Sequence, residues 1–381
     1  MLIVAKTENG SLVSYSDSKR YLWLLSVFSP AIPGIFAVVT AITGNPLWAL
    51  FPLCFYYFAV PVLDMIVGKD ETNPPEEVIE KLSQDGYYRL LLHLSVPVFY
   101  ASFFAVFFVI GLYDLPLYAE LLLVISAGVA SGSGLTVGHE LGHKQNRLDR
   151  LSAKLVNSLT GYAHFCIEHN QGHHVMVATP EDPASARYGE SVYRFALREI
   201  PFTAIRGWKL EANRLQRKGF GFWTWRNDLL QGYFLTLYIA FFLVSTFDWK
   251  ILPFLLLHHL FGWLQLTFAN YVEHYGLLRE KKSNGRYKPC EPRHSWNTNH
   301  LVSNLMLFHL QRHSDHHANP MKPYQALRNF DDLPSLPSGY PGSFALASIP
   351  FLWFRVMNRK VLDWAGGNMN KINTGPTPLH R

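Results

Sequence analysis

Histidine is the residue type that most clearly indicates chemistry in this chain. Nine of the 17 histidines fall into four short groups. The groups are His139 and His143; His169, His173 and His174; His274; and His313, His316 and His317. Imidazole binds iron, copper, nickel and zinc, whereas a catalytic zinc takes three protein ligands and keeps one position open. Nine imidazoles exceed the needs of one zinc, so the simplest interpretation is a two-metal site.

The spacing within the groups supports a shared metal centre. His139 and His143 are four residues apart, which places both imidazoles on one face of a helix. Taken alone, HELGHK at 139–144 is the HExxH pattern of zinc metalloproteases. A membrane protease is therefore an alternative, but it needs only one further ligand. Neither a protease nor chance clustering explains the other three groups.

Six apolar stretches are long enough to cross a bilayer, for which about 20 residues suffice. They predict an all-α integral membrane protein with six transmembrane helices and a cytoplasmic helical cap that carries the histidines. The predicted spans are residues 21–42, 46–67, 90–112, 116–137, 229–247 and 251–271. Every histidine group lies just past a span end or between spans. A metal pair at a membrane surface indicates a redox enzyme for a lipid-soluble substrate.

Lysine and arginine predict the orientation of the spans. The three short links between paired spans contain one basic residue, Lys250, whereas the opposite side carries many. By the positive-inside rule, both termini and all nine histidines are cytoplasmic. We expect the cytoplasmic segments 144–228 and 273–381 to fold together as a cap, so that residues 1–381 form a single catalytic domain.

Composition limits the partners of this chain of 381 residues. Its net charge of +6 comes without any nucleic-acid motif, so anionic lipid headgroups or an acidic protein explain the basic excess better. The three cysteines form no CxxC pair, and a fused rubredoxin or ferredoxin module would need four. Any electron carrier is therefore expected to be a separate protein. No signal peptide is evident, and the first apolar run should remain as an anchor.

The histidine groups resemble the histidine boxes of the membrane-bound non-haem di-iron family, which includes fatty-acid desaturases, lipid hydroxylases and alkane monooxygenases. The finer resemblance is to the bacterial alkane 1-monooxygenases, and it runs from the first span to about residue 365. The matching strings are HELGHK at 139–144, EHNQGHH at 168–174, TPEDPAS at 179–185, NYVEHYG at 270–276, LQRHSDHHA at 310–318 and LPSGYPG at 336–342.

This resemblance implies a specific reaction in the bacterial inner membrane. It implies two non-haem iron ions held by the nine histidines, one dioxygen, and two electrons from a separate reduced rubredoxin with its reductase. Medium- to long-chain n-alkanes would become 1-alkanols. The alternatives are a desaturase or hydroxylase of lipid acyl chains, the zinc protease, and a metal carrier. A carrier would need ionisable residues through the bilayer midplane, whereas these spans are largely apolar.

Carboxylates beside the histidines are expected to accept their outer N–H groups and to offset the charge of the metals, as is usual for histidine ligands. Four candidates are adjacent to ligands in sequence: Glu140, Glu168, Glu273 and Asp315. A fifth is Asp64, at the cytoplasmic end of the second span, where an acidic group is costly and therefore often functional.

The second span offers a hypothesis for the substrate route. Trp48, Phe51, Phe55 and Phe58 recur at helical spacing and could line a tunnel for the alkane. Ordinary packing or lipid contact is the alternative explanation of such an aromatic stripe.

The basic cap offers a hypothesis for the electron donor. Arg147, Arg150, Lys281 and Lys282 could dock an acidic rubredoxin electrostatically. The alternative is that these charges reflect only the positive-inside rule.

Overall fold

The computed structural model describes residues 2–375, and most of them are helical. Six helical stretches are long and apolar enough to cross a membrane, so the predicted fold class is confirmed. They run over Leu24–Thr43, Pro46–Val67, Gly86–Leu112, Leu117–Gly142, Asp228–Phe247 and Trp249–His274. The fourth and sixth spans extend beyond their predicted ends. The fourth carries His139 and has His143 as its C-cap residue, and the sixth ends at His274.

Proline interrupts the first two spans because it removes backbone N–H donors. The first span consists of α1 (Leu24–Phe28), a 3₁₀ turn (Ser29–Ala31) and α2 (Ile32–Thr43). The second consists of a 3₁₀ turn (Pro46–Leu50), α3 (Phe51–Cys54), a π-helical turn (Phe55–Ala59) and α4 (Val60–Val67). The short polar helix α5 (Glu76–Ser83) follows Pro74 and Pro75.

The remaining spans are regular, and the fourth lies at the centre of the bundle. The third and fourth are α6 (Gly86–Leu112) and α7 (Leu117–Gly142). The fifth and sixth are α12 (Asp228–Phe247) and α13 (Leu252–His274), and a 3₁₀ turn (Trp249–Ile251) precedes α13. Small residues let α7 approach α13 closely. A Cβ at Gly132 would lie 2.6 Å from Gln265 Cγ, and one at Gly128 would lie 2.6 Å from the His258 carbonyl oxygen.

The cap lies at the ends of the spans that carry the histidines. Its helices are α8 (Arg147–Ser158), α9 (Phe165–Glu168), a π-helical turn (His169–His173), α10 (His174–Met176), α11 (Val192–Arg217), α14 (Leu301–Met306), α15 (His313–Ala318), α16 (Tyr340–Ala347) and α17 (Pro350–Trp364). Three 3₁₀ turns complete it, at Pro292–His294, Tyr324–Ala326 and Met369–Lys371.

Both ends of the described chain pack on this same face. An N-terminal hairpin of β1 (Leu2–Lys6) and β2 (Leu12–Ser16), which the sequence analysis did not predict, contacts α5 through a 2.7 Å bond from Lys81 Nζ to the Val4 carbonyl. Near the other end, the Asn373 carbonyl accepts a 2.8 Å bond from Tyr188 N–H. The hairpin, the histidines and the C-terminal segment therefore share one side of the span bundle.

Candidate metal centre

The nine histidines converge from four separated elements. The last turns of α7 carry His139 and position His143, and the end of α13 carries His274. The π-helical turn and α10 supply His169, His173 and His174, while α15 supplies His313, His316 and His317. A π-helical turn is rare and occurs frequently at functional sites, because its wider turn redirects side chains.

The imidazoles form two groups whose candidate ligand nitrogens lie within 4.8 Å of one another. One group has five members, His139, His143, His169, His174 and His316. The other has four, His173, His274, His313 and His317. The two groups are in contact, since the rings of His174 and His317 are 4.4 Å apart and those of His169 and His173 are 5.2 Å apart. The arrangement suits two neighbouring metal ions.

In His173 and His274, one ring nitrogen is hydrogen-bonded and the other is free to bind a metal. His173 Nδ1–H donates to Asp182 at 2.8 Å, and His274 Nδ1–H donates to the His294 carbonyl at 3.1 Å. Their Nε2 atoms are buried and have no hydrogen-bond partner among residues 2–375. Such a nitrogen is costly to bury unless something binds it. In addition, His317 Nε2 faces His313 Nε2 at 2.8 Å, a close approach of like atoms that a shared metal would explain.

Burial favours the neutral form of three cap imidazoles. It lowers the pKa of His174, His316 and His317 well below the ordinary value for histidine. A neutral imidazole has a free lone pair, which is the form that binds metals. The residues present therefore fit two transition-metal ions.

Two carboxylates reach the histidines directly. Glu273 places one oxygen 3.2 Å from His313 Nε2, while its other oxygen accepts a 2.6 Å bond from the Tyr340 hydroxyl. Asp182 accepts from His173, as described above. Burial would raise the pKa of Asp182, but His173 and Arg206 hold that pKa below its ordinary value. Glu273 and Asp182 therefore supply negative charge at the four-histidine group.

Glu168 acts at one remove from the histidines. It accepts a 2.7 Å bond from Arg206 Nε, and Arg206 also donates to Asp182 at 2.8 Å. Burial raises the pKa of Glu168 to about 8. The chain Glu168, Arg206, Asp182 and His173 thus links two segments of the cap to one metal group.

Two small apolar cavities adjoin the histidines. The first, of about 60 Å³, has His139, His169 and His313 in its wall, together with side chains such as Phe165 and Leu310. The second, also of about 60 Å³, extends toward Tyr56 and Tyr57 of the second span. They share Ser133, Gln265, Leu307, Tyr340 and Phe344 as common walls. The two cavities therefore lie side by side between the span bundle and the metal groups.

Comparison with known proteins agrees with this architecture. The family described as "Fatty acid desaturase" matches residues 115–341. The alkane 1-monooxygenase of Ectopseudomonas oleovorans is 50% identical over 366 residues, covering 95% of this chain and 90% of its own length. Alkane 1-monooxygenase 1 of Alcanivorax borkumensis is 50% identical over 363 residues, with the same coverage. That of Acinetobacter baylyi is 39% identical and covers 94% of this chain and 89% of its own.

The chain belongs to the alkane 1-monooxygenase family. It is therefore an oxidoreductase, and the resemblance stated from the histidine strings is confirmed. The nine grouped histidines of this family member lie on one face of the span bundle, where the two groups meet the cavities.

Three of the predicted carboxylates of this alkane 1-monooxygenase bond elsewhere. Glu140 pairs with Lys144 at 3.1 Å. Asp315 accepts from Lys322 at 2.8 Å and from the Arg328 N–H at 2.8 Å, which ties α15 to the segment after it. The Asp64 carboxylate accepts the Ser303 N–H at 3.0 Å, in the first turn of α14. In the structure, Glu140, Asp315 and Asp64 hold backbone and basic groups and make no hydrogen bond to the histidines.

The predicted aromatic stripe of the second span lies away from both cavities. Phe51 stacks on Phe36 at 4.0 Å, and Trp48 and Phe55 pack in the same aromatic cluster, while Phe58 is 71% exposed. The alternative of packing and lipid contact therefore describes all four residues. The π-helical turn at Phe55–Ala59 breaks the regular spacing on which the tunnel hypothesis depended and turns Tyr56 and Tyr57 toward the cavity.

Two site residues of this monooxygenase were not predicted from the sequence. Asp182 lies inside the TPEDPAS string at 179–185, which was noted as a family string without a role. Arg206 lies in α11 and had no nearby histidine to mark it. Asp182 could have been identified as an acidic residue between two prolines, shortly after a histidine group. The role of Arg206 could be recognised only from the three-dimensional fold.

Proposed function

We propose that this family member hydroxylates the terminal carbon of medium- to long-chain n-alkanes at a di-iron centre, using dioxygen and electrons from a separate rubredoxin. The observation that carries the proposal is the contact between two histidine groups, of five and four members, and an apolar cavity walled by His139, His169 and His313. Apolar substrate and metal ligands thus meet at one place.

The nine histidines would hold the two irons, five around one and four around the other. Bound ferrous iron supplies the activation of dioxygen, chemistry that no amino-acid side chain provides. The chain itself fixes the ligands. Asp182 orients His173 at 2.8 Å, and the His294 carbonyl orients His274 at 3.1 Å. Glu273, beside His313, offsets the positive charge of the metals.

The cavity walls would aim the alkane and exclude water. Leu307, Leu310 and Phe344 give the chain an apolar surface, so that a linear hydrocarbon binds without desolvating polar groups. Tyr57 crosses the bundle to donate a 2.8 Å bond to Gln265, which satisfies the polar atoms of this wall. A methyl end pushed toward His139 and His313 would stop at the metals, which explains attack at the terminal carbon.

We place the metal groups on the cytoplasmic side of the bacterial inner membrane. The proposal is supported by the basic residues of the cap, because lysine and arginine accumulate in cytoplasmic segments. The short links between paired spans, in which Lys250 is the single basic residue, lie on the opposite side of the bundle.

The electron donor would dock where the histidines are nearest the surface. His143 and His174 are the only partly exposed members of the nine, the other seven being buried. Nearby, Val175 and Met321 are 59% and 56% exposed. Lys144 bonds to the Met321 carbonyl, and Arg279, two residues before Lys281, bonds to the Val175 carbonyl at 2.6 Å. A small apolar patch among basic residues suits a small acidic protein such as rubredoxin.

The reaction is tested with purified full-length protein, octane, reduced rubredoxin and ¹⁸O-labelled dioxygen. We expect 1-octanol with one labelled oxygen atom and two irons per chain. Desaturated acyl chains, peptide cleavage or a single zinc would contradict the proposal. His174→Ala and His317→Ala should each lose metal and turnover. His93→Gln is the matched control, because His93 is a partly buried histidine bonded to Asp149 and Ser152 away from the site.

Docking is tested separately by ionic strength. Exposed charges are screened beyond about 8 Å at physiological salt, so added salt should raise the KM for rubredoxin while the iron content stays fixed. Lys281→Gln and Lys282→Gln together should raise the KM in low salt. If the KM for rubredoxin changes neither with salt nor in the double variant, electrostatic docking is refuted, and the assignment of the metal centre is unaffected.

A further inference from the structure

An open groove runs along the cap helix α8 where it meets the start of α12. Its deeper part, a cavity of about 780 Å³, opens between α8, α9 and α12. Its outer part, of about 630 Å³, lies between α8 and the segment before α12. The two parts share Leu151, Lys154 and Gln231, so they form one continuous surface. The histidines and the substrate cavities use none of the residues of the outer part.

The deeper part is strongly basic. Its walls contain the side chains of Lys144, Arg147, Arg150, Lys154 and Arg214 but only one carboxylate, Asp228. Arg150 and Lys154 contact this carboxylate at 3.0 and 2.9 Å, and Arg214 approaches it at 3.6 Å. Arg147 is exposed and makes no ion pair within the part of the chain that the structure describes. Outside these walls, Lys144 pairs with Glu140 and Arg214 pairs with Glu211. Three carboxylates therefore face five basic side chains, and the remaining positive charge attracts a further anion.

The outer part is apolar and faces the lipid. Trp223 and Trp225 are 83% and 77% exposed, and Phe234, in the second turn of α12, is 69% exposed. Leu151 of α8 joins them and is 51% exposed. Trp223 and Trp225 lie outside the spans, immediately before α12 begins at Asp228. Tryptophan is enriched at the level of the lipid headgroups, where its amphipathic ring is stable.

The depth of the groove is fixed by the spans that border it. α7 ends at Gly142 and α12 begins at Asp228, and both residues border the deeper part. The basic side chains therefore lie at headgroup level, and the aromatic side chains continue from them toward the hydrocarbon. The basic surface followed by the aromatic surface matches the order of a phospholipid, in which the phosphate is followed by the acyl chains.

We propose that this groove binds one anionic phospholipid, with its phosphate beside Arg147 and Arg150 and an acyl chain along Trp225 and Phe234. The lipid phosphate supplies negative charge beyond that of Asp228, Glu140 and Glu211. The acyl chain covers the exposed aromatic side chains. The walls of this lipid site contain none of the nine histidines, and lipid binding does not depend on the proposed reaction.

The binding test uses the full-length holoprotein in a mild neutral detergent. Native mass spectrometry counts dioleoyl phosphatidylglycerol and dioleoyl phosphatidylcholine bound at equal concentrations. We expect one retained phosphatidylglycerol in strong preference to phosphatidylcholine. Arg147→Gln with Arg150→Gln should weaken its binding by about 30-fold, on the scale of two headgroup contacts. Lys154 remains paired with Asp228 in this double variant, so the fold is preserved.

The matched control is Arg355→Gln with Arg359→Gln, two exposed arginines of α17. It removes the same charge elsewhere on the chain and should leave phosphatidylglycerol binding unchanged. Equal binding of the two lipids, or equal losses in the two double variants, would overturn the proposal.

Two further measurements exclude other occupants. Trp225→Ala should weaken the binding of dioleoyl phosphatidylglycerol, and inorganic phosphate at millimolar concentration should not displace that lipid. Complete displacement by phosphate would reduce the groove to a simple anion site. If Arg147→Gln with Arg150→Gln instead raises the KM for rubredoxin in lipid-free detergent while lipid binding is unchanged, the groove docks the protein donor and the lipid proposal fails.

Discussion

Replacing Asp182 by asparagine should selectively disturb the four-histidine group. Its Oδ2 accepts from His173 Nδ1 at 2.8 Å and from Ser185 Oγ at 2.7 Å. Its Oδ1 accepts from Arg206 Nη2 at 2.8 Å and from the Ala184 N–H at 3.3 Å. Asparagine offers one oxygen and one NH₂ group. Whichever way the amide is turned, two of these four donors would face another donor.

The magnitude follows from the position of the contact. Removing the partner of a ligand's outer N–H costs about 10- to 100-fold in metal affinity or activity, which is about 1.4 to 2.7 kcal/mol at 1.36 kcal/mol per tenfold change. Asp182 contacts only His173 among the nine histidines, and His173 belongs to the four-histidine group. Iron should therefore leave that group first, and the iron content should fall from two toward one per chain.

The assay measures iron per chain after dialysis against a chelator, the rate of 1-octanol formation, and the melting temperature. Asp149→Asn is the matched control. Asp149 is also a buried carboxylate that accepts from a histidine and an arginine, His93 at 3.0 Å and Arg89 at 2.8 Å, but it lies outside the site. It should lower the melting temperature without loss of iron. If Asp182→Asn keeps both irons and full turnover, or if Asp149→Asn loses iron equally, the orienting role of Asp182 is refuted.

Three other predictions follow from the substrate cavity, a buried acid and a helix contact. Tyr57→Ala should enlarge the cavity and lengthen the longest alkane accepted, whereas the exposed Phe58→Ala should leave the product profile across an alkane series unchanged; identical profiles would contradict this. Burial raises the pKa of Glu199 from 4.5 to about 7, so the folded chain binds a proton that the unfolded chain releases across this interval. Stability should therefore fall by up to about 3 kcal/mol as the pH rises through it, and Glu199→Gln should flatten the melting temperature against pH; an equal slope in the variant would exclude Glu199 as its source. Finally, a Cβ at Gly34 would lie 2.7 Å from Ser102 Cα, so Gly34→Ala should lower the free energy of unfolding by about 1–3 kcal/mol by separating the first and third spans. The melting temperature should fall while the iron content stays constant. An unchanged melting temperature would show that the helices can adjust.

The spans and the histidine groups could be predicted because each depends on a local pattern. Apolar runs of sufficient length define the helices that cross the bilayer. Continuous helix at the end of α7 places His139 and His143 on one face, so the spacing alone predicts a metal-binding pair. Neither inference requires knowledge of distant contacts.

Other features depend on contacts between distant segments. Nothing near Arg206 in sequence indicates that it joins Glu168 to Asp182, because the three come together only when α11 packs beside the histidine segment. The division of the histidines into five and four also follows from packing, since His173 and His174 are adjacent in sequence yet belong to different groups.

The substrate wall illustrates a local exception. The spacing of Trp48, Phe51 and Phe55 assumes an unbroken helix, but the π-helical turn at Phe55–Ala59 adds a wider turn in the middle of the span. Tyr56 and Tyr57 therefore line the cavity in place of their neighbours. The N-terminal hairpin was also missed, although Asn9-Gly10 between two alternating apolar segments is a typical hairpin turn.

The ligands are supplied in chain order from His139 to His317, and this order has a consequence for biogenesis. The ribosome synthesises His139 and His143 long before His313, His316 and His317. Neither cluster is complete until α15 has left the ribosome and docked beneath the inserted bundle. Acquisition of the two proposed irons would therefore be a late step of maturation, and an unfinished chain would have no assembled centre at which oxygen could be reduced wastefully.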